Sequence, residues 1–316
     1  MNIKFWGVRG SIPSPLSADE IREKIKKSIL LSRNVDTSTD DKLDHFLGQL
    51  PPSLYGTYGG NTPCISIELS TGPILVLDIG SGARNLGYYL MEKYPGTKNI
   101  HILMSHTHWD HIQGLPFFLP VYDENSTLIF YSPKKDLEER LIFQQQPMYF
   151  PKAFHDLPCI KIVKTIPEKS KIEVDSNLSF YAYKLIHPGD SYAFKIVHKD
   201  KFIIYATDTE FYQINEAFID KTVELWGEPE VLIFDAQYTP EEYIKKVHYG
   251  HSTSIVAVDI AVKCKTKKLI LFHHEPMYTD DFIDNTVRKA KEYLDVVEPG
   301  NTMEIIGAYE GLEITV

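Results

Sequence analysis

Long apolar runs are missing from this chain. No stretch approaches the ~18 consecutive apolar residues that span a bilayer. The opening Met1-Asn2-Ile3-Lys4-Phe5-Trp6-Gly7 carries no apolar leader segment. No membrane partner and no processing of the N-terminus are expected. Cysteine is scarce. Cys64, Cys159 and Cys264 are far apart, odd in number and form no C-x-x-C pair. That argues against a disulfide framework and a thiolate zinc site, and makes a reducing cytoplasm the expected setting. Basic charge is in deficit: 33 Lys and Arg stand against 43 Asp and Glu, a formal net charge of −10. Such a chain is a poor general binder of polyphosphate backbones, so DNA is not an expected partner. One basic pocket would still suffice for a small phosphate ligand. Internal repeats and low-complexity tracts are absent as well.

What remains is the composition of a globular protein, 43% hydrophobic and 24% charged over 316 residues. Short apolar or alternating runs, each ended by Gly, Pro, Asp or His, predict strands. They lie at Ile3–Val8, Cys64–Leu69, Ile74–Leu77, Ile100–Met104, Leu128–Tyr131, Ile160–Ile166, Leu178–Ile186, Tyr192–Val197, Phe202–Ala206, Val231–Phe234, Leu269–Phe272, Met303–Ile306 and Leu312–Val316. Lys199-Asp200 reads as a hairpin turn. Apolar residues at Ile21, Ile25, Ile29 and Leu30 predict a helix over Ala18–Leu31. Two more follow, over Ile255–Val262 behind Ser252-Thr253 and over Asp280–Leu294, acidic at its start and basic later. The pattern predicts two packed sheets with helices on their outer faces, in a single domain over 1–316. Residues 16–54, polar and helical, read as a surface insertion.

The strongest signal is His106-Thr107-His108-Trp109-Asp110-His111, directly after an apolar strand. Imidazole and carboxylate suit zinc, manganese or iron. On a turn at a sheet edge, side chains of different direction can converge on one point. Further candidates repeat that layout, an apolar strand with a ligand residue at its tip: His187, Asp208 and the pair His273-His274. A lone His is usually a surface or capping residue, and His45, His101, His155 and His198 are assigned so. A lone Asp after a strand is usually a turn former; Asp208 is separated from that class by the company of the cluster.

With these residues in view, the chain resembles the metallo-β-lactamase-fold hydrolases, and among them the ribonuclease Z-like phosphodiesterase branch. Val231-Leu232-Ile233-Phe234-Asp235-Ala236, Gly250-His251-Ser252-Thr253 and Leu269-Ile270-Leu271-Phe272-His273 are similar to that branch's ordered series. Phe5-Trp6-Gly7-Val8-Arg9-Gly10-Ser11-Ile12-Pro13 and Tyr58-Gly59-Gly60-Asn61-Thr62 resemble a subgroup of cyclic-nucleotide phosphodiesterases, near the anti-Pycsar proteins. The resemblance implies an α/β (α+β) fold, the four-layer αββα sandwich. It implies two divalent ions, Zn or Mn. His106, His108 and His187 would hold one, and Asp110, His111 and His273 the other. Asp208 and a hydroxide would bridge them, with Asp110 also orienting the hydroxide. His273 takes precedence over His274 because it fills the family's position, and neighbours on an extended chain point oppositely. The chain departs from the ribonuclease Z pattern in having Asp235 where that pattern has Glu, and His274-Glu275-Pro276 after His273. No long arm rich in Gly and basic residues, of the kind used to grip tRNA, is present.

The expected activity is hydrolysis of 3′,5′-cyclic mononucleotides, with His251 as general acid to the leaving oxygen and Asp235 orienting it. The alternatives are a tRNA 3′-processing-type endoribonuclease, another hydrolase on this fold acting on lactams or thioesters, and a cyclic-nucleotide binder without catalysis. Asn61 and Arg84 are the candidate substrate residues, Arg84 as a phosphate partner. Arg9 is left open. Phe117, Phe118, Tyr149 and Phe150 are assigned to core packing, with base stacking as the alternative. The family further implies a homodimer, with 16–54 and 134–158 as its contributors.

Overall fold

The computed structural model describes residues 1–70, 72–96, 98–211 and 216–316. In chain order the strands are β1 (Asn2–Gly7), β2 (Cys64–Glu68), β3 (Ile74–Leu77), β4 (Lys98–Leu103), β5 (Ser126–Ser132), β6 (Ile160–Thr165), β7 (Ile172–Glu173), β8 (Leu178–Lys184), β9 (Tyr192–His198), β10 (Lys201–Ala206), β11 (Val231–Asp235), β12 (Lys268–Phe272), β13 (Glu304–Gly307) and β14 (Glu313–Thr315). The helices are α1 (Ala18–Ser32), α2 (Asp40–Gln49), α3 (Pro52–Tyr55), α4 (Ala83–Lys93), α5 (Trp109–Ile112), α6 (Leu137–Gln144), α7 (Glu216–Trp226), α8 (Pro240–Lys245), α9 (Ser254–Lys263) and α10 (Asp280–Val297).

Two seven-stranded mixed sheets result, in the orders β14-β1-β2-β3-β4-β5-β6 and β13-β12-β11-β10-β9-β8-β7. Side-chain alternation along the strands builds the layers. In β10, Ile203 and Tyr205 join Phe5, Leu77, Phe194 and Phe272 in the core between the sheets. Their neighbours Ile204 and Ala206 face outward, onto Ala257, Val258 and Leu294 of α9 and α10. The other outer face buries Val76, Ile102 and Phe130 against Leu86 and Leu90 of α4 and Leu141 of α6. The αββα sandwich is therefore present. The three predicted helices appear as α1, α9 and α10. The short strand β7 and the helices α4, α6, α7 and α8 had no predicted counterpart.

Parallel pairing sets the strand tips in rows. Leu77 of β3 pairs with Leu103 of β4, Ala206 of β10 with Phe234 of β11, and Asp235 with Phe272 of β12. The residues just past those tips, Asp78, His106, Asp208 and His273, are thereby brought to one end of the sandwich. All three cysteines are free and buried. No described helix is long and apolar enough to cross a membrane. His101, assigned to the surface from the sequence, is buried in β4 instead. Its Nδ1 lies 2.9 Å from the Tyr131 hydroxyl, and the two rings stack at 5.8 Å.

Helices α1 to α3 occupy the stretch between β1 and β2 that was expected as an insertion. Lys24 of α1 holds this stretch down, donating to the carbonyls of Ser53 and Gly56 and to Asp280 at 2.5 Å. Buried Arg9 meets the same Asp280 and donates to the carbonyls of Gly59, Glu275 and Tyr278. Arg9 is thus a clasp between β1, the second sheet and α10.

Candidate metal centre

Three overlapping groups of possible ligands share Asp208; one of them, Asp208, Asp235, His251 and His273, reaches out from the other two. Of those two, His106, His108, His187 and Asp208 form the first; Asp110, His111, Asp208 and His273 form the second, the ligand atoms within each lying within 4.8 Å of one another. Asp208 Oδ2 is 3.4 Å from His106 Nε2, and its Oδ1 is 3.3 Å from His111 Nε2 and 3.2 Å from His273 Nε2. One carboxylate therefore faces both groups. Asp110 Oδ2 completes the second, 3.1 Å from His273 Nε2 and 3.3 Å from His111 Nε2. His108 Nδ1 and His187 Nε2 lie 3.0 Å apart in the first.

These residues fit divalent ions. His106 Nε2 and His111 Nε2 are buried without an aligned hydrogen-bond partner, a costly state for a polar atom unless something outside the protein satisfies it. Burial pushes the His106 imidazole well below its ordinary range and lowers His187 too, so both present neutral rings as a metal requires. Burial would also lower His111, but Asp208, Asp110 and Asp78 outweigh it and push it up. The carboxylates demand a positive charge at that point, and a cation meets the demand in place of a proton. Burial would raise Asp110 and Asp208; the surrounding histidines, His111 and His273 foremost, hold both below the usual carboxylate range. The pair His273-His274 divides: His274 Nε2 donates to the Ala308 carbonyl at 2.9 Å, away from the clusters.

Other polar groups fix the ring directions. Asp78 Oδ2 accepts from His111 Nδ1 at 2.8 Å, from Ser105 Oγ at 2.6 Å and from the Tyr205 hydroxyl at 2.8 Å. The Gly250 carbonyl lies 2.8 Å from His187 Nδ1, and Gln237 Oε1 lies 3.1 Å from His273 Nδ1. Ser11 of the N-terminal loop donates its backbone N–H to Asp110 Oδ2 at 2.7 Å. Gly10 lets that loop come close, because a Cβ there would lie 2.6 Å from the His273 ring. Asp78, Asp208 and His273 all have left-handed backbone, with φ of 53°, 52° and 63°. Non-glycine residues adopt it rarely, and it gathers at functional sites. Sequence reasoning passed over Asp78, although it too sits at the tip of an apolar strand. Gln237 and Glu210 gave no signal of their own.

Asp235 and His251 stand beside the second cluster. Asp235 Oδ2 lies 2.8 Å from His251 Nδ1, and the carboxylate also accepts the N–H groups of Thr209, Gln237 and Ser252. The His251 ring stacks on His273 at 5.0 Å. Burial works against a charge on His251, but Asp235 outweighs it and holds the imidazole above its ordinary range. An open cavity of about 400 Å³, lined by Ser11, His108, Asp110, Asp208 and His251 among others, gives access to these groups. Asn61 and Arg84 do not line it. Asn61 is bound on both sides, its amide nitrogen to Glu310 at 3.0 Å and its oxygen to Ser81 at 2.9 Å. Arg84 is exposed on α4, over the Tyr88 ring.

The Beta-lactamase superfamily domain family matches residues 91–274, the span from the end of α4 through His273-His274. A ribonuclease Z from Thermoplasma acidophilum is 26% identical over 96% of this chain and 95% of its own length. Human tRNase Z, short form, shares the fold with a TM-score of 0.61 at 18% identity, over 100% of this chain and 99% of its own. Yeast PDE1 does so with a TM-score of 0.59 at 12% identity, over 100% and 99%. The chain belongs to the beta-lactamase superfamily, in the metallo-β-lactamase-fold branch that holds the ribonuclease Z proteins.

Proposed function

We propose that this protein is a metal-dependent phosphodiesterase that cuts ribonucleotide phosphodiesters. The observation that carries the reading is the Asp235–His251 pair packed against the second of two ligand clusters. His106, His108 and His187 would hold one ion, Asp110, His111 and His273 the other, with Asp208 shared. When bound, two ions such as zinc or manganese would activate a water at neutral pH and offset the charge building on the phosphoryl oxygens. The chain's own part in the reaction is positional and protonic. Ser11 N–H holds the Asp110 carboxylate in place. His251, whose proton affinity Asp235 raises and which opens onto the cavity, is placed to donate a proton to the departing ribose oxygen.

Within that class, the ribonuclease Z relatives favour a precursor tRNA cut at its 3′ side. A second reading, hydrolysis of 3′,5′-cyclic mononucleotides, is favoured by a particular pair of observations: the net charge of −10 is unfavourable for gripping a folded RNA, and the metal-side cavity of about 400 Å³ is on the scale of a small ligand. Incubation of the Mn²⁺- or Zn²⁺-loaded protein with precursor tRNA, the four cyclic mononucleotides and nitrocefin separates them. Release of a 3′ trailer supports the first reading and cyclic-nucleotide turnover alone the second. Turnover of nitrocefin alone overturns both.

The reading includes a homodimer. Ile21, Ile25 and Ile29 form an apolar stripe on α1 and are 46%, 55% and 60% exposed, a surface suited to a second copy. A monomer at micromolar concentration by size-exclusion chromatography with light scattering would remove that part.

A further inference from the structure

A second cavity, of about 680 Å³, opens beside the metal-side one, and Thr107 and Trp109 line both. Its far wall is α6 and the turn after it. Three large aromatic rings of the lining face solvent: Trp109 is 82% exposed, Phe143 57% and Tyr149 62%. Phe143 and Tyr149 lie 5.8 Å apart with their planes inclined by 52°. The aromatic set read as core from the sequence therefore divides. Phe118 is fully buried, whereas Tyr149 lines this cavity.

The wall is fastened to the metal loop. Arg140 donates to Thr107 Oγ1 at 2.8 Å while Asp136 grips its Nε and Nη2, and Gln144 Nε2 donates to the Ile112 carbonyl at 2.8 Å. Gln144 and Arg140 both line the cavity as well as fastening it. Exposed aromatic faces joined to a few convergent polar groups, in a concavity of this size, are what a planar heteroaromatic ligand requires.

We propose that this cavity takes the nucleobase of the nucleoside attached to the scissile phosphate. The base stacks on Phe143, Tyr149 and Trp109. The proposal rests on the phosphodiesterase reading, and it turns on continuity: Trp109 lies in the chain between His108 and Asp110, so a base held on its ring is tethered beside the ligand clusters. Stacking is tolerant of base identity, so the cavity selects for a nucleoside on the phosphate and not for one sequence.

The test uses the full chain loaded with Mn²⁺, in wild-type form and as the Phe143→Ala/Tyr149→Ala variant, both substitutions being at exposed positions. Two diesters are compared, thymidine 5′-(p-nitrophenyl phosphate) and the base-free methyl p-nitrophenyl phosphate. The ratio of their kcat/KM values is expected to fall by about tenfold in the variant, the usual loss for a removed stacking partner. Separately, AMP is titrated into the metal-free chain while tryptophan emission is followed, with Trp109→Phe as the control for Trp6 and Trp226. Saturable quenching that needs Trp109, weakened about tenfold in the variant, is expected. If wild type turns over neither diester but AMP quenches as described, the phosphodiesterase reading fails and the base cavity stands. If both diesters are turned over and their ratio is unchanged in the variant, the base cavity falls and the reading stands. Quenching that follows protein concentration and ignores AMP would make the patch a subunit contact and end the proposal, as would the absence of both turnover and quenching.

Discussion

Asp78 belongs to neither of the two ligand clusters, yet it governs one through His111. Its Oδ2 holds His111 Nδ1, which leaves Nε2 pointing between Asp110 and Asp208. With Asn at 78 the ring would face an amide in place of a carboxylate, and ring direction and ligand basicity both suffer. Asp78→Asn should therefore weaken binding of one metal equivalent by about 10- to 100-fold, the usual cost of losing such a partner. Chelator competition measures it, and unchanged affinity for both ions would sink the argument. His251 calls for the opposite signature. Its Nδ1 is taken up by Asp235 and its ring stacks on His273, so His251→Ala should keep full metal content while turnover drops about 10²- to 10⁴-fold. Loss of a metal equivalent in that variant, seen by elemental analysis, would reassign it from acid to ligand. Asn61 and Arg84 show where residue-level reading stops. A polar side chain in a glycine-rich loop looks the same in sequence whether it faces a substrate or, as Asn61 does, a Glu 249 residues away.

At the scale of elements, the loop from His248 to His251 does several tasks at once. The Glu210 carboxylate, buried at the end of the β10 tip loop, accepts the N–H groups of His248 and Gly250. The Gly250 carbonyl meets His187, and the next residue is His251. Gly250 can do this only as glycine: its φ is +87°, and a Cβ would lie 2.2 Å from His187 Nδ1. Gly250→Ala must push His187 out of the first cluster or shift the loop that carries His251. The expected result is loss of one metal equivalent and at least a 100-fold fall in turnover, from a substitution that removes no functional group. Wild-type stoichiometry and rate in that variant would show the loop to be slack. Much of this arrangement was legible in the chain. Apolar runs ending in His or Asp marked the tips of β4, β10 and β12, because a strand's length and burial are written in its own residues. The pairing that fastens the loops was not. Glu210 follows a strand like many surface glutamates, and only the folded sheet brings it to a loop 40 residues on. Helices α4 and α6 were missed for a related reason. Each buries only a few positions, and the faces they cover belong to a sheet assembled from distant segments.

For the molecule as a whole, the pH dependence of stability draws on more than the metal centre. His101 lies in β4 with its ring stacked on Tyr131, and it is 8% exposed. Burial first, and Lys164 in addition, push its imidazole down to about 4. An unfolded chain returns that group to about 6.5. Between those two values the unfolded state binds the proton and the folded state refuses it, so stability rises with pH across the window and is lost as pH falls from 6.5 toward 4. A single group of this kind contributes a slope of at most about 1.4 kcal/mol per pH unit. His101→Gln keeps a polar partner for the Tyr131 hydroxyl but cannot titrate, so it should flatten that part of the curve while leaving the alkaline side in place. Chemical denaturation of both forms at pH 4.5, 5.5 and 7, under one fixed metal condition, measures the difference. The metal-site histidines titrate in both proteins and cancel in the comparison. Parallel curves would mean that His101 keeps its ordinary affinity for protons, and that the acid sensitivity of the fold resides in other groups.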